Sequence, residues 1–97
     1  MMVFINKNFR QDLDIYIQLN ELEKDPLRFQ KVCRYIRSYI GLSQAEFAKW
    51  LNTSQYKISS LERLHSPRPV RLSTIEGITQ SMKSVGIPIT LFDFITI

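Results

Sequence analysis

The sequence of 97 residues predicts a mainly α-helical domain of four to five helices that ends in a β-strand. Three observations support this fold class. Apolar residues recur at three- and four-residue spacing through the middle of the chain, which is the period of amphipathic helices. Residues that cap helices precede these segments, and Gly or Asn follows them. The last eleven residues are rich in β-branched and aromatic side chains, which is typical of strands.

Composition narrows the class of protein. Apolar residues make up 44% of the chain and charged residues 23%, as in ordinary globular domains. No apolar run approaches the roughly 20 residues of a spanning helix, and the first residues lack a signal-peptide pattern, so we expect a cytoplasmic protein. One cysteine, Cys33, and one histidine, His65, are too few for an internal disulfide or a structural zinc site. We expect no metal, no cofactor and no enzymatic activity, since no nucleophile–base pair or Gly-rich phosphate loop stands out.

Charge is distributed unevenly along the chain. Residues 26–83 carry ten basic and three acidic side chains, a net charge of +7, whereas residues 1–25 carry three basic and five acidic ones, a net charge of −2. A basic block of this size is typical of a surface that binds a polyanion. Because solubilising surfaces have similar charge, the motifs must decide between the two interpretations.

The first segment, residues 1–25, is an N-terminal extension with an ambiguous pattern. Apolar residues alternate with other types over 13–19, which predicts a strand. Ile15, Leu19 and Leu22 also fit one face of a helix. We favour the strand for this segment.

Four helices are predicted from the periodicity: residues 26–40, 44–51, 55–64 and 74–84. Their start signals are Asp25 with Pro26, a capping box from Ser43 to Glu46, Ser54, and a second capping box over Ser73–Glu76. The expected ends are Gly41, Asn52, the prolines at 67 and 69, and Gly86. These four helices make up a domain over residues 26–86.

The tail, residues 87–97, is expected to contain a strand over about 89–96. A lone apolar strand exposes unpaired backbone groups and is an aggregation hazard. We therefore expect it to pair with the same strand of a second subunit in a dimer, with the strand over 13–19, or with both in one sheet.

The second and third predicted helices are short, are joined by a tight turn and lie in the basic block, which is the arrangement of a helix-turn-helix. Ala48 supplies a small residue where the helices cross, and Asn52 tolerates the left-handed conformation of the turn. Ile58 and Leu61 follow as inward anchors. The outward face of the second of these helices is then free to enter a DNA major groove.

Two pieces of this region, Gly41-Leu-Ser-Gln44 and Ile58-Ser-Ser-Leu-Glu62, closely resemble the lambda-repressor/Cro-like (Xre) helix-turn-helix family. The resemblance covers about residues 26–86 and departs from the family at Asn52, where glycine is usual. The layout is also similar to the HipB-type antitoxins, which repress their own operon and bind a kinase toxin. It implies a repressor-like fold, a homodimer on an inverted-repeat operator, and a kinase-type toxin as protein partner.

Ten residues are candidate DNA contacts. Gln55, at the start of the recognition helix, is the principal candidate for reading a base, because a Gln amide can bind adenine bidentately. Tyr56 can touch a thymine methyl or simply be exposed, and Ser59 and Ser60 face similarly. Gln44 opens the preceding helix, whose N–H groups favour phosphate, and the resemblance implies that it also supports Gln55. The expected contacts to the DNA backbone are Ser54, Lys57, Arg63, Arg68 and Arg71.

The resemblance also implies an ion pair between Arg37 and Glu62, which belongs to the scaffold, and the apolar pattern places Cys33 in the core. Two alternative functions remain. The chain can be a protein-binding module whose main role is to hold a partner toxin, because the acidic residues 1–25 and the apolar tail are surfaces that a DNA reader does not require. It can also be a phage-type repressor without a toxin partner.

Overall fold

The structure, a computed structural model, describes residues 5–64 and 70–95. The described part is mainly helical and contains no β-strand, so the mainly-α prediction is confirmed. The described residues form five helices, α1 (Phe9–Leu19), α2 (Arg28–Ile40), α3 (Gln44–Trp50), α4 (Gln55–Leu61) and α5 (Leu72–Ser84), with 3₁₀ turns at Leu22–Lys24 and Leu91–Asp93. None of the helices in the described ranges is long and apolar enough to cross a membrane.

The predicted strand over 13–19 is wrong, because α1 occupies that segment. The buried side chains of α1 lie four residues apart: Phe9, Leu13 and Ile17. This helical spacing outweighs the local alternation because it places three large apolar groups on one buried face. The alternative prediction was a helix with Ile15, Leu19 and Leu22 on its apolar face. The segment is a helix, but Ile15 and Leu19 are exposed, Leu19 to 77%, so the predicted face was wrong. Leu22 is buried, but from the following 3₁₀ turn.

The predicted C-terminal strand over 89–96 is also wrong as far as the structure describes the tail, because Leu91–Asp93 form a 3₁₀ turn. The carboxylate of Asp93 accepts hydrogen bonds from the backbone N–H of Thr90 and from Nη1 of Arg10, both at 2.8 Å. The bond from Arg10 ties the tail to α1 of the same chain, and the bond from Thr90 lies within the tail. Charge-assisted hydrogen bonds of this kind outweigh the modest intrinsic preference of the tail for a strand.

Two helix starts differ from the prediction. Asp25 lies in a turn ahead of α2 and accepts a hydrogen bond from the N–H of Leu27 at 2.7 Å, so the helix begins at Arg28. The second capping box, Ser73–Glu76, is wrong. The residue that precedes α5 is Arg71, and no side chain caps this helix, which begins two residues earlier than predicted.

A single apolar core joins α1 to the helices that follow it. Tyr16 of α1 stacks on Tyr35 of α2, with ring centroids 4.0 Å apart, and Phe9 meets Tyr39 edge-on at 5.2 Å. Cys33 is buried in this core, as predicted. Its pKa is raised well above the usual value, because burial disfavours the thiolate. The described part of the N-terminal extension is therefore packed onto the helices it precedes.

A hydrogen bond between α1 and α2 predicts a response to alkaline pH. The hydroxyl of Tyr39 donates to Oδ2 of Asp12 at 2.7 Å, and this bond raises the pKa of Tyr39 to about 12. Because the pKa in the unfolded chain is about 10, the stabilisation is complete below about pH 10 and is lost as the pH rises through 12. We expect the urea midpoint to fall across this interval, and to fall less in Tyr39→Phe.

The matched control for this pH dependence is Tyr56→Phe, because Tyr56 is 78% exposed and lies on α4. Circular dichroism at 222 nm follows the unfolding of all three proteins. An equal fall in the urea midpoint for wild type and Tyr39→Phe would mean that the Tyr39–Asp12 bond does not link folding to the ionisation of Tyr39.

Candidate nucleic-acid interface

Side-chain caps fix the starts of α3 and α4. The capping box of α3 is confirmed: Oγ of Ser43 accepts from the N–H of Glu46 at 3.1 Å, and Oε1 of Glu46 accepts from the N–H of Ser43 at 3.0 Å. The hydrogen bonds that the carboxylate of Glu46 accepts from Ser43, chiefly from its backbone N–H, lower the pKa of Glu46. Ser54 caps α4, with its Oγ accepting from the N–H of Lys57 at 3.1 Å. Both caps satisfy amide groups that a helix start leaves unpaired.

The turn between the two helices is closed by backbone hydrogen bonds. The N–H of Thr53 donates to the carbonyl of Ala48 at 2.9 Å, and the N–H of Asn52 donates to the carbonyl of Lys49 at 3.2 Å. This is the Schellman pattern, which requires a left-handed residue after the helix. Asn52 has φ 56°, a conformation that asparagine adopts more readily than most residues. Asn52 is therefore compatible with the closed turn.

One face of α4 is presented to solvent. Ile58 is buried and anchors the helix, and Leu61 is half-buried. Tyr56 is 78% exposed. Ser59 is half-buried. The other sequence-predicted candidates on α4 are exposed: Gln55, Lys57 and Ser60.

Gln44, at the start of α3, is half-buried and joined to the scaffold. Its Nε2 donates to Oε1 of Glu62 at 3.2 Å. The structure therefore bonds the Gln44 amide to Glu62, whereas the resemblance implied that it supports Gln55. The bond directs the side chain of Gln44 toward the end of α4 and leaves the second N–H of its amide available.

The expected ion pair between Arg37 and Glu62 is present and lies beneath this surface. Nε and Nη2 of Arg37 donate to the two carboxylate oxygens of Glu62 at 2.7 and 2.9 Å, and Nη1 donates to the carbonyl of Leu42 at 2.8 Å. The side chain of Glu62 is 4% exposed and that of Arg37 is 16% exposed. The hydrogen bonds to Glu62 raise the pKa of Arg37, so its guanidinium stays protonated.

The remaining candidates lie around α4. Ser54 and Arg63 are exposed at its two ends, and Arg71 is exposed immediately before α5. Arg68 and His65 lie outside the described residues. The structure thus brings together the candidates on α3 and α4 but does not place Arg68.

Sequence reasoning missed a groove beside the exposed face of α4. The groove has a volume of about 320 Å³ and lies between the turn that precedes α4 and the first turns of α5. Thr53 and Ser73 line it together with Lys57. The groove forms where α5 packs beside the turn that precedes α4, and no local pattern in the sequence indicates this contact between distant residues.

No protein family, curated protein or solved structure matches this chain. Within the described residues, no group of three or more His, Cys, Asp or Glu side chains is placed to hold a metal ion.

Proposed function

We propose that this chain is a sequence-specific DNA-binding repressor in which α3 and α4 act as a helix-turn-helix. The observation that carries the proposal is the exposed face of α4. Its side chains can donate and accept hydrogen bonds, and the helix is capped at its start and anchored by buried Ile58. A helix that is anchored to the core on one face and exposes polar side chains on the other has the features needed to read base edges in a major groove.

The proposed roles follow the position of each side chain. Gln55 reads a base, and Tyr56 supplies an apolar contact to a thymine methyl, with Ser59 and Ser60 beside them. Gln44 contacts a phosphate through the amide N–H that Glu62 leaves unused. The proposed contacts to the DNA backbone are Ser54, Lys57, Arg63, Arg68 and Arg71. Such contacts set affinity and register but carry no sequence information.

The proposed active form is a homodimer in the cytoplasm. A two-fold protein places its two recognition helices on an inverted repeat whose half-sites lie about 10 base pairs apart, centre to centre. Since the structure folds the tail onto its own chain as far as Ile95, the dimer contact is expected to use helical surfaces.

Fluorescence anisotropy tests the DNA-binding proposal directly. The full chain is titrated against its own upstream DNA and against a scrambled duplex of equal length and composition, over a series of salt concentrations. We expect tight binding to the upstream DNA that survives about 0.15 M salt, and weak binding to the scrambled duplex that disappears as salt rises. Equal, weak and salt-sensitive binding to both would leave only non-specific electrostatic affinity and would reject a sequence-specific repressor.

A second candidate function is that of an antitoxin that holds a kinase-type toxin and represses the shared operon. The observation that favours it is the outer face of α1, where Ile15 is 43% and Leu19 is 77% exposed. Large apolar side chains exposed on a helix that carries none of the DNA-contact candidates are suited to a protein interface. We expect the toxin partner to be the product of the neighbouring gene.

Charge substitution at the outer face of α1 tests the antitoxin proposal. We expect Leu19→Lys to weaken co-purification with the product of the neighbouring gene at least about tenfold. The lysine would be buried at the interface without an opposite charge to pair with. Leu72→Lys is the matched control, since Leu72 is also exposed but lies on α5. Unchanged capture by Leu19→Lys, with circular dichroism showing an intact fold, would remove this face of α1 from the interface.

A further inference from the structure

A second concave surface of the molecule contains none of the DNA-contact candidates. It is a cleft of about 330 Å³ between the turn ahead of α2, the start of α2, the start of α5 and the tail. This volume falls within the range of small-molecule sites. Its apolar walls include Phe29, Val70, Ile75 and Phe94.

Gln30 gives the cleft a polar group that the fold itself does not use. The residue is only 4% exposed and lines the cleft. Its side-chain amide makes no hydrogen bond to any residue that the structure describes. In the same part of the chain, no side-chain nitrogen or oxygen is both sealed from solvent and unpaired. The amide of Gln30 therefore reaches the open space of the cleft, where it offers two donors and one acceptor carbonyl to an occupant.

The walls of the cleft are held in place before any ligand binds. Arg28 ties the start of α2 to the tail, with Nε donating to the carbonyl of Asp93 at 3.0 Å and Nη2 to the carbonyl of Phe92 at 2.7 Å. Phe29 and Phe94 meet edge-on, with ring centroids 5.2 Å apart. A preformed site of this kind loses little ordering entropy when a ligand enters.

The chemistry of the lining indicates the class of ligand. Aromatic and aliphatic walls favour a planar apolar ring. The buried amide favours a group that both donates and accepts, because an apolar occupant would leave it without a partner. The charged residues at the rim are two acidic and two basic, so the cleft does not favour a ligand with a net charge. They are Glu23, Lys24, Asp25 and Arg28.

We propose that this cleft binds a small, neutral aromatic molecule that carries a carboxamide-like edge, with its ring against Phe29 and its amide paired with Gln30. The site is separate from α4, and the proposal does not depend on DNA binding. Burial of the ring contributes most of the affinity, and the amide pair provides the selectivity.

Nuclear magnetic resonance of the full chain labelled with ¹⁵N tests the proposal, with benzamide as the probe. We expect benzamide to shift the side-chain NH₂ resonances of Gln30 in a saturable manner. N,N-Dimethylbenzamide, which cannot donate, and toluene, which has no amide, should bind at least about tenfold more weakly. This comparison uses the wild-type protein and needs no variant.

Gln30→Met provides the matched variant, because methionine is unbranched, apolar and similar in size. It should bind toluene as well as the wild type does but lose the preference for benzamide. Three results would overturn the proposal: no saturable shift of the Gln30 resonances with benzamide, equal binding of the dimethyl compound, or nuclear Overhauser contacts from residues 65–69 that show the chain itself filling the cleft.

Discussion

Replacing Arg37 with methionine is expected to lower the free energy of unfolding by about 3–5 kcal/mol. The reason is the environment of Glu62, whose side chain is 4% exposed and accepts both of its strongest hydrogen bonds from Arg37. Methionine keeps most of the aliphatic packing of the arginine. Among the residues that the structure describes, it leaves the buried carboxylate with the hydrogen bond from Gln44 alone. The total free energy of unfolding of a domain is about 5–15 kcal/mol, so the expected loss is a large part of the stability.

Urea unfolding followed by circular dichroism measures this effect, and a double variant is its control. Removing both charges in Arg37→Met with Glu62→Met should recover much of the loss, because a buried ion pair contributes little net stability compared with apolar groups of similar volume. A decrease below about 1 kcal/mol in the single variant would show that solvent screens the pair as it does at an open surface. The variant is measured at low temperature if it is partly unfolded at 25 °C.

The parts of the fold that sequence predicted correctly are determined by neighbouring residues. Ser43 and Glu46 lie three positions apart in the chain, so their reciprocal bonds form wherever that helix lies. Gly41 and Asn52 end α2 and α3 in the left-handed conformation for the same local reason. The exposed face of α4 followed from buried Ile58 and the helical period.

The parts that were wrong depend on contacts between distant residues. The tail has strand-forming residues, yet Asp93 is held by Arg10, which lies 83 positions earlier. No pattern within the tail indicates that partner. The inward face of α1 was missed because it includes Phe9, which precedes the segment in which the alternation was sought. The groove beside α4 was missed because residues of the turn before α4 and of α5, about twenty positions later, form it together.

Replacing Gln55 with alanine is expected to weaken binding to the operator by about 1–3 kcal/mol, a factor of about 5 to 150. Gln55 is exposed at the first position of α4, and the cap by Ser54 does not involve the side chain of Gln55. The variant should therefore keep its fold while losing a bidentate contact to one base. Affinity for scrambled DNA should not change, because phosphate contacts provide it.

Lys57→Ala distinguishes base reading from electrostatic attraction, because Lys57 is exposed on the same helix and is one of the proposed contacts to the DNA backbone. It should weaken binding to operator and scrambled DNA alike and reduce the slope of log affinity against log salt by about one. In Gln55→Ala that slope should stay the same while one operator position becomes tolerant of substitution. If Gln55→Ala instead binds the operator as tightly as wild type, Gln55 does not read a base, and specificity must come from Tyr56, Ser60 or the shape of the DNA.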